Sequence, residues 1–410
     1  MRLQLITILC LHLLVVKGWG QSLNTQSTDT QNTEELPSED HSALVDVNFL
    51  FGYYDQDGDR SAVTGGIGTE KLTDSDFRFV INIPLDSIRW LNIDAGVNYY
   101  TSASTDNIDS KVSSASSEDV RSQFYFTYTK VQPKSRSSYS LGWGGSVESD
   151  YISTSISAAW NKTSKNGNSQ LNIGAQAFFD TWVLIIPEEL RIPETELPRT
   201  DKRRSYSLTI NYQQVINTRL QASLTGELVY QNGLLSTPFH RVFFVEQDTA
   251  KIEKLPLDRF KIPLSLRLNY FIADFLVLRS FARYYQDNFG IEAITASLEP
   301  RFKTNPFFTI YPFYRYHFQT EADYFEPFKQ HNLTANYYTS DYDLSRFDSH
   351  TFGLGLHWSP VYGISRFRLF SKKGITVFRS IDLRYTHYRR SDGLIANLIS
   401  FDFGFSKVGK

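Results

Sequence analysis

Along most of the chain the apolar positions recur at every second residue. From Arg259 to Tyr270, the residues Phe260, Ile262, Leu264, Leu266, Leu268 and Tyr270 alternate with Arg259, Lys261, Pro263, Ser265, Arg267 and Asn269. The same alternation runs through Leu220/Ala222/Leu224/Gly226/Leu228/Tyr230, through Leu171/Ile173/Ala175/Ala177/Phe179, and through Ile399/Phe401/Phe403/Phe405 near the end. Successive side chains of a strand point to opposite faces, so each segment reads as a strand with one apolar and one polar face. No long segment beyond residue 20 shows the three-and-four spacing of a helix. The pattern marks strands near 43–54, 75–85, 89–101, 119–130, 137–148, 150–161, 168–180, 204–214, 217–230, 259–270, 273–286, 289–302, 307–319, 349–358, 375–388 and 396–406.

Most of these segments are about 10–14 residues long, where strands of soluble sheets average about 5–6. A tilted strand needs about 9–11 residues to cross a bilayer. The connections alternate as well: 85–89, 214–217 and 271–274 are short, whereas 55–74, 102–118, 181–203, 231–258 and 320–348 are long. Short turns on one side and long loops on the other predict an all-β, transmembrane antiparallel barrel of about sixteen strands, with fourteen to eighteen as the range. The long loops would be extracellular and the short turns periplasmic. Tyr53, Tyr99, Tyr100, Tyr230, Tyr284 and Tyr285 fall where an outer aromatic girdle belongs, and Trp90, Trp160 and Trp358 where an inner one does.

Composition agrees with that reading. Aromatic residues make up 15%, including 31 Phe and 24 Tyr, and aromatics favour pleated sheets. The mean hydropathy is negative, which excludes a bundle of apolar membrane helices but not a barrel. Lys and Arg number 42 against 44 Asp and Glu, so nucleic acid is not an expected partner.

The N-terminus has a separate character. Met1-Arg2, the apolar run Leu3–Val16 and the small residues Gly18 and Gly20 form the layout of a secretory signal peptide over 1–20. Its removal would take away Cys10, the only cysteine, and with it any thiol chemistry. Residues 21–42 are polar and read as a flexible linker, leaving 43–410 for the barrel.

Several stretches resemble an uncharacterised family of bacterial outer-membrane β-barrels common in the Bacteroidota. They are Ser61–Leu72 (SAVTGGIGTEKL), Gly144–Tyr151 (GGSVESDY), Phe239–Phe244 (FHRVFF), Tyr284–Ala293 (YYQDNFGIEA) and Thr351–Gly355 (TFGLG). The resemblance implies a bacterial outer-membrane location and a barrel fold, and it brings no activity. A last strand ending in Phe405 resembles the signal read by barrel-assembly machinery, although SKVGK follows it. The expected partners are therefore outer-membrane lipid and that machinery.

If the apolar face meets lipid, the alternate residues line the interior. Arg219, Arg259, Lys261, Arg267, Arg279, Arg283, Arg301 and Arg315 would then form a basic wall against Glu227 and Glu299. Strands between 43 and 180 would present a neutral wall of Ser, Thr, Asn, Gln and Gly. Such a lumen would concentrate anions unless the arginines are spent on pairing with loop acids. A porin-like channel for small polar or anionic solutes is the leading expectation. A loop-plugged barrel serving as a surface scaffold, or as the membrane part of a secretion or redox assembly, is the second. A hydrolase comes third, and no GxSxG, HExxH or comparable catalytic set appears.

Other candidate residues are weaker. Asp55, Asp57 and Asp59 lie in one acidic loop, but Arg60 and Gly66 occupy the EF-hand positions for Gly and Glu, so only a looser cation site is open to them. Thr64-Gly65-Gly66-Ile67-Gly68-Thr69 lacks the Lys of a phosphate loop and reads as a folded-back loop. Glu148 and Asp150 sit in one tight outer turn and Asp287 in another, where they would bind a cation, lock loops together or serve as ordinary turn residues. His240 has no second His at ligand spacing and reads as structural. No cofactor is expected.

Overall fold

A computed structural model describes residues 44–102, 118–184, 200–368 and 374–408. The leader and linker expected over 1–42 lie outside these residues, as do most of loops 102–118 and 181–203. In chain order the strands are β1 (Val45–Asp57), β2 (Leu72–Pro84), β3 (Arg89–Ser102), β4 (Glu118–Gln132), β5 (Ser137–Val147), β6 (Tyr151–Thr163), β7 (Ser169–Val183), β8 (Thr200–Asn217) and β9 (Leu220–Gly233). A two-residue pair, β10 (Arg241–Val242) and β11 (Lys251–Ile252), lies in the next loop. Then follow β12 (Asp258–Ala273), β13 (Leu276–Asp287), β14 (Glu292–Asn305), β15 (Phe308–Gln319), β16 (Phe347–Trp358), β17 (Ser365–Phe367), β18 (Ile375–Arg390) and β19 (Ile395–Val408).

All the long strands pair antiparallel with their chain neighbours, and β1 pairs with both β2 and β19, which closes the sheet on itself. Short β17 pairs only with β18, beyond the end of β16, so the barrel has sixteen strands. Each strand segment marked by the alternation is present. The turns at 85–88, 133–136, 164–168, 218–219, 274–275 and 306–307 fall at one end, and the loops 58–71, 234–257 and 320–346 at the other.

The outward positions form an apolar belt: Phe77, Ile156, Leu208, Leu224, Leu264, Leu298 and Leu354 are all exposed. No helix among the described residues is long and apolar enough to cross a membrane. A continuous exposed apolar belt on a closed barrel, whose strands pair all the way round, is what a lipid-facing surface requires. Tyr53, Tyr99, Tyr230 and Tyr284 are exposed at the long-loop end, and Trp90, Trp160 and Trp358 at the other. Tyr100 does not join the girdle. It is 2% exposed, because it follows Tyr99 and successive strand residues must face opposite ways. Tyr285, next to Tyr284, turns inward for the same reason and donates to Asp287.

The closing seam carries a phenylalanine ladder on the lipid face. Phe49 of β1 pairs in register with Phe79 of β2 and Phe403 of β19, and Phe51 with Phe77 and Phe401. The ring centroids of Phe49–Phe79 and Phe51–Phe77 are 4.9 and 5.0 Å apart, and those of Phe378–Phe405 are 4.8 Å apart. Each such pair is worth about 0.5–1.5 kcal/mol beyond its buried area. Replacing Phe49 and Phe51 together by Ala should therefore lower the unfolding free energy of the refolded barrel, read by urea titration, by at least about 1–3 kcal/mol. Leu208→Ala, away from the seam and any ring ladder, should cost less in the same titration.

Candidate functional site: a polarised lumen under a loop cap

Inward positions on β12 to β15 carry the expected cations. Strand register puts Ser265 opposite Arg283, Arg267 opposite Phe281, Arg279 opposite Glu299 and Ser297 opposite Arg315. Glu299 sits at the centre of an arginine cluster, 2.8 Å from Arg301, 3.7 Å from Arg279 and 3.7 Å from Arg384. Glu227 faces Arg283 and Lys261. Arg315 faces Arg384, Arg283 and Arg267, a concentration of like charge that Glu299 only partly offsets.

Arg384 is absent from the expected wall. It lies on β18, where aromatic residues occupy both faces and blur the alternation, and its guanidinium stands 3.7 Å over the Phe313 ring. Arg219 is the reverse case. The alternation runs into residues 218–219, but these form the turn between β8 and β9, and a turn breaks the period of two. Arg219 is exposed there rather than part of the wall, with its backbone N–H donating to Asn217 and its carbonyl accepting from Phe271. Arg259 is inward but committed to the rim. It is buried against Asp287 and stacks 4.5 Å over Phe289.

The facing wall is not neutral as expected. Register places Asp74, Asp76 and Arg78 of β2, Asp94 of β3 and Arg121 of β4 on the inward face, with Arg78 bonded to Asp94. Ser, Gly and Thr line the lumen mainly on β5 to β8, where Ser140, Gly142, Ser155, Ser157 and Thr209 lie on the inward face. In the ring order β2 and β3 lie half-way round from β12 and β13. An acid-bearing arc therefore faces the basic wall, and their charges set up a field across the lumen.

Among the described residues, three loops cover the long-loop end. Arg241 of loop 234–257 donates to the Val63 carbonyl in loop 58–71 at 2.6 Å. Lys254 and Tyr338 exchange backbone hydrogen bonds of 3.1 and 2.8 Å, joining loop 234–257 to loop 320–346. Val63, Phe239, Val242, Phe244, Leu255 and Leu344 form a small buried core among them. The β1–β2 and β9–β12 connections stand on opposite sides of the ring, so loops that touch must cross the mouth. Gly65 and Gly66, at φ 84° and 91°, permit this approach, since a Cβ on Gly65 would strike Phe243 and one on Gly66 the Ser340 carbonyl.

The remaining candidates fall in different places. Asp55 and Asp57 belong to β1, on its outward side, rather than to a loop, and Asp57 lies 3.9 Å from exposed Lys71. Asp55, Asp57 and Asp59 are not among the clusters of converging ligand atoms in the described residues. Asp55 and Asp57 share the outward face of β1 at alternate positions. Glu148 and Asp150 are brought together with Asp119, a residue not singled out by sequence. Tyr100 Oη lies 3.2 Å from Asp119 and 3.1 Å from Glu148, Ser149 donates to Asp119 at 2.6 Å, and Arg121 stands 3.4 Å from Glu148. Asp287 is separate and acts as a latch, accepting from Tyr285, Arg259 and the backbone N–H groups of Phe289 and Ile291. Arg203 and Asp180 make a second buried latch at 2.9 Å, with Tyr151 Oη 3.1 Å from Arg203.

His240 also has partners that no local spacing reveals. Its Nδ1 lies 3.4 Å from Glu253 Oε1 and 3.7 Å from Asp341 Oδ2, and all three side chains are buried. The chain brings Asp341 in from a loop about a hundred residues away, so only the cap's tertiary fold unites them.

Two outcomes follow from this geometry. Arg259→Met leaves Asp287 buried without its cation and should destabilise the barrel by about 3–5 kcal/mol in urea titration. In the cap, burial pushes the His331 imidazole below its ordinary value, against the pull of the Thr339 and Glu326 carbonyls. A neutral buried imidazole resists protonation more in the folded cap than when unfolded. Its contribution is therefore complete above about pH 6.5 and declines as pH falls below that value. Limited proteolysis of loop 320–346 should accelerate over that fall in the native protein and much less in His331→Gln.

Among solved structures, the fold is similar to one described as a bacterial polysaccharide outer membrane secretin, with 9% identity and a TM-score of 0.44 over 89% of this chain and 99% of that one. OpdK of Pseudomonas aeruginosa, solved with vanillate, is 8% identical with a TM-score of 0.39, covering 89% and 98%. A BenF-like porin from Pseudomonas fluorescens is 8% identical with a TM-score of 0.41, covering 88% and 98%. No curated protein matches the sequence. The family model described as "Protein of unknown function (DUF3570)" matches residues 7–363, from the N-terminal region through β16, and the chain belongs to that family.

Proposed function

We propose that the protein is a channel of the bacterial outer membrane that passes small polar solutes and favours anions. The observation that carries this reading is the inward cluster of Lys261, Arg267, Arg279, Arg283, Arg301, Arg315 and Arg384, in which cations outnumber the acids Glu227, Glu299 and Asp382. Cations crowded on one wall of a confined aqueous path raise the local concentration of anions. The acids of β2 and β3 temper that preference and give the path a polarity across its width. A solute carrying both charges would be oriented as it passes. The long loops would face the outside, and β19, with Phe401, Phe403 and Phe405 on its lipid face, would be the strand offered to barrel-assembly machinery.

A second reading has its own support. Loops from opposite sides of the ring interlock across the mouth, which is the arrangement of a plugged barrel serving as a surface scaffold. Planar-bilayer recording separates the two. The channel reading expects single-channel steps and an anion-selective reversal potential under a salt gradient. Arg267→Glu with Arg283→Glu should move that potential toward cations. Selectivity should fall as salt rises from about 0.1 M to 1 M, where the screening length drops from about 10 Å to 3 Å. An inserted barrel without current would support the plugged scaffold instead.

A further inference from the structure

The loop cap contains a cluster that the channel reading does not use. His240 and Glu253 come from loop 234–257 and Asp341 from loop 320–346, and their ligand atoms all lie within 4.8 Å of one another. The side chains are 2%, 1% and 2% exposed, beside buried Phe239, Val242 and Leu255. Two carboxylates withdrawn from water carry a large cost unless a cation meets them.

The spacing is informative. Distances of 3.4 and 3.7 Å from Nδ1 to the two carboxylate oxygens exceed the about 2.7–2.9 Å of a charge-assisted hydrogen bond. Zinc bonds of about 2.0–2.2 Å at tetrahedral angles hold neighbouring ligand atoms about 3.3–3.6 Å apart, close to the spacing found here. The carboxylates are also held by outer hydrogen bonds. Thr339 Oγ1 donates to Glu253 Oε1 at 2.5 Å, the Thr237 N–H to Glu253 Oε2 at 2.7 Å, and the Asp343 N–H to Asp341 Oδ1 at 3.0 Å. Asp341 Oδ2 is the oxygen that faces His240, while Oδ1 takes the backbone bond. Ligands oriented by such outer hydrogen bonds are a mark of metal sites.

We propose that His240, Glu253 and Asp341 bind one divalent transition metal of the zinc class and so pin loop 234–257 to loop 320–346. One imidazole nitrogen with two carboxylate oxygens suits zinc better than calcium or magnesium, which take oxygen donors alone. The ligating Nδ1 must be unprotonated, and a water fills the remaining position. The inference rests on the cap alone and stands whether or not the lumen conducts.

The test uses the untagged full-length mature barrel, refolded with zinc chloride, desalted and assayed for bound metal by mass spectrometry. One zinc per barrel is expected, with an X-ray absorption edge showing an imidazole nitrogen among oxygens at about 2.0–2.2 Å. Asp341→Asn and His240→Gln should lose the metal, and Thr339→Val should weaken binding about 10-fold or more. Asp119→Asn with Glu148→Gln, at the other acidic cluster, should retain it. Heat-modifiable mobility on gels checks that each variant still forms a barrel. Should the ligand variants fail to fold, the absorption spectrum of the native protein decides alone. Absence of retained zinc, a first shell without imidazole, or full binding in folded Asp341→Asn would each overturn the site.

Discussion

Closure of the sheet is the constraint on which the rest of this structure depends. In hydrocarbon an unpaired backbone N–H or C=O has no water to turn to, so a sheet can enter lipid only if its first and last strands meet. Here β1 and β19, some 350 residues apart in sequence, pair over the whole length of β1. That pairing is the most non-local contact in the barrel and brings no loop or local turn to help it. The phenylalanine ladder across β2, β1, β19 and β18 supplies side-chain contact at the place where chain connectivity supplies none.

Once the outward positions belong to lipid, the inward ones are free to carry charge, and the barrel distributes it unevenly. Glu299 draws Arg279, Arg301 and Arg384 together, while aromatic rings provide further support: Arg301 stands 4.4 Å over Tyr311 and Arg384 lies over Phe313. Those rings fit because glycines face them. Tyr311 pairs with Gly355 and Phe313 with Gly353, and a Cβ on either glycine would run into the ring. The TFGLG stretch thus makes room on the lumen face for the aromatic floor of the arginine cluster.

At the long-loop end, ion pairs join barrel to cap. Arg259–Asp287 and Arg203–Asp180 secure the rim, and Arg390 of β18 reaches Asp343 at 2.7 Å, two residues beyond Asp341 of the loop cluster. Loop 320–346 is thereby tied to the wall at one point and to loop 234–257 at another. A cap anchored in this way behaves as part of the barrel rather than as a set of independent loops.

The sequence by itself determined the strand set, the two ends and the lipid face, because a period of two is a local property that each segment displays alone. It also determined most of the basic wall, since Arg267, Arg279, Arg283, Arg301 and Arg315 sit at alternate positions of strands whose other face is apolar. It misplaced Arg219, where a turn interrupts the period, and it missed Arg384, where aromatics on both faces hide it. The tertiary structure alone decided what lies across from what. Ring position sets Asp74, Asp76 and Asp94 opposite the arginines, and no spacing along the chain encodes an angle around a barrel. For the same reason His240 looked solitary: its partners Glu253 and Asp341 arrive through loop folding, and proximity in space carries no period that a linear reading can detect.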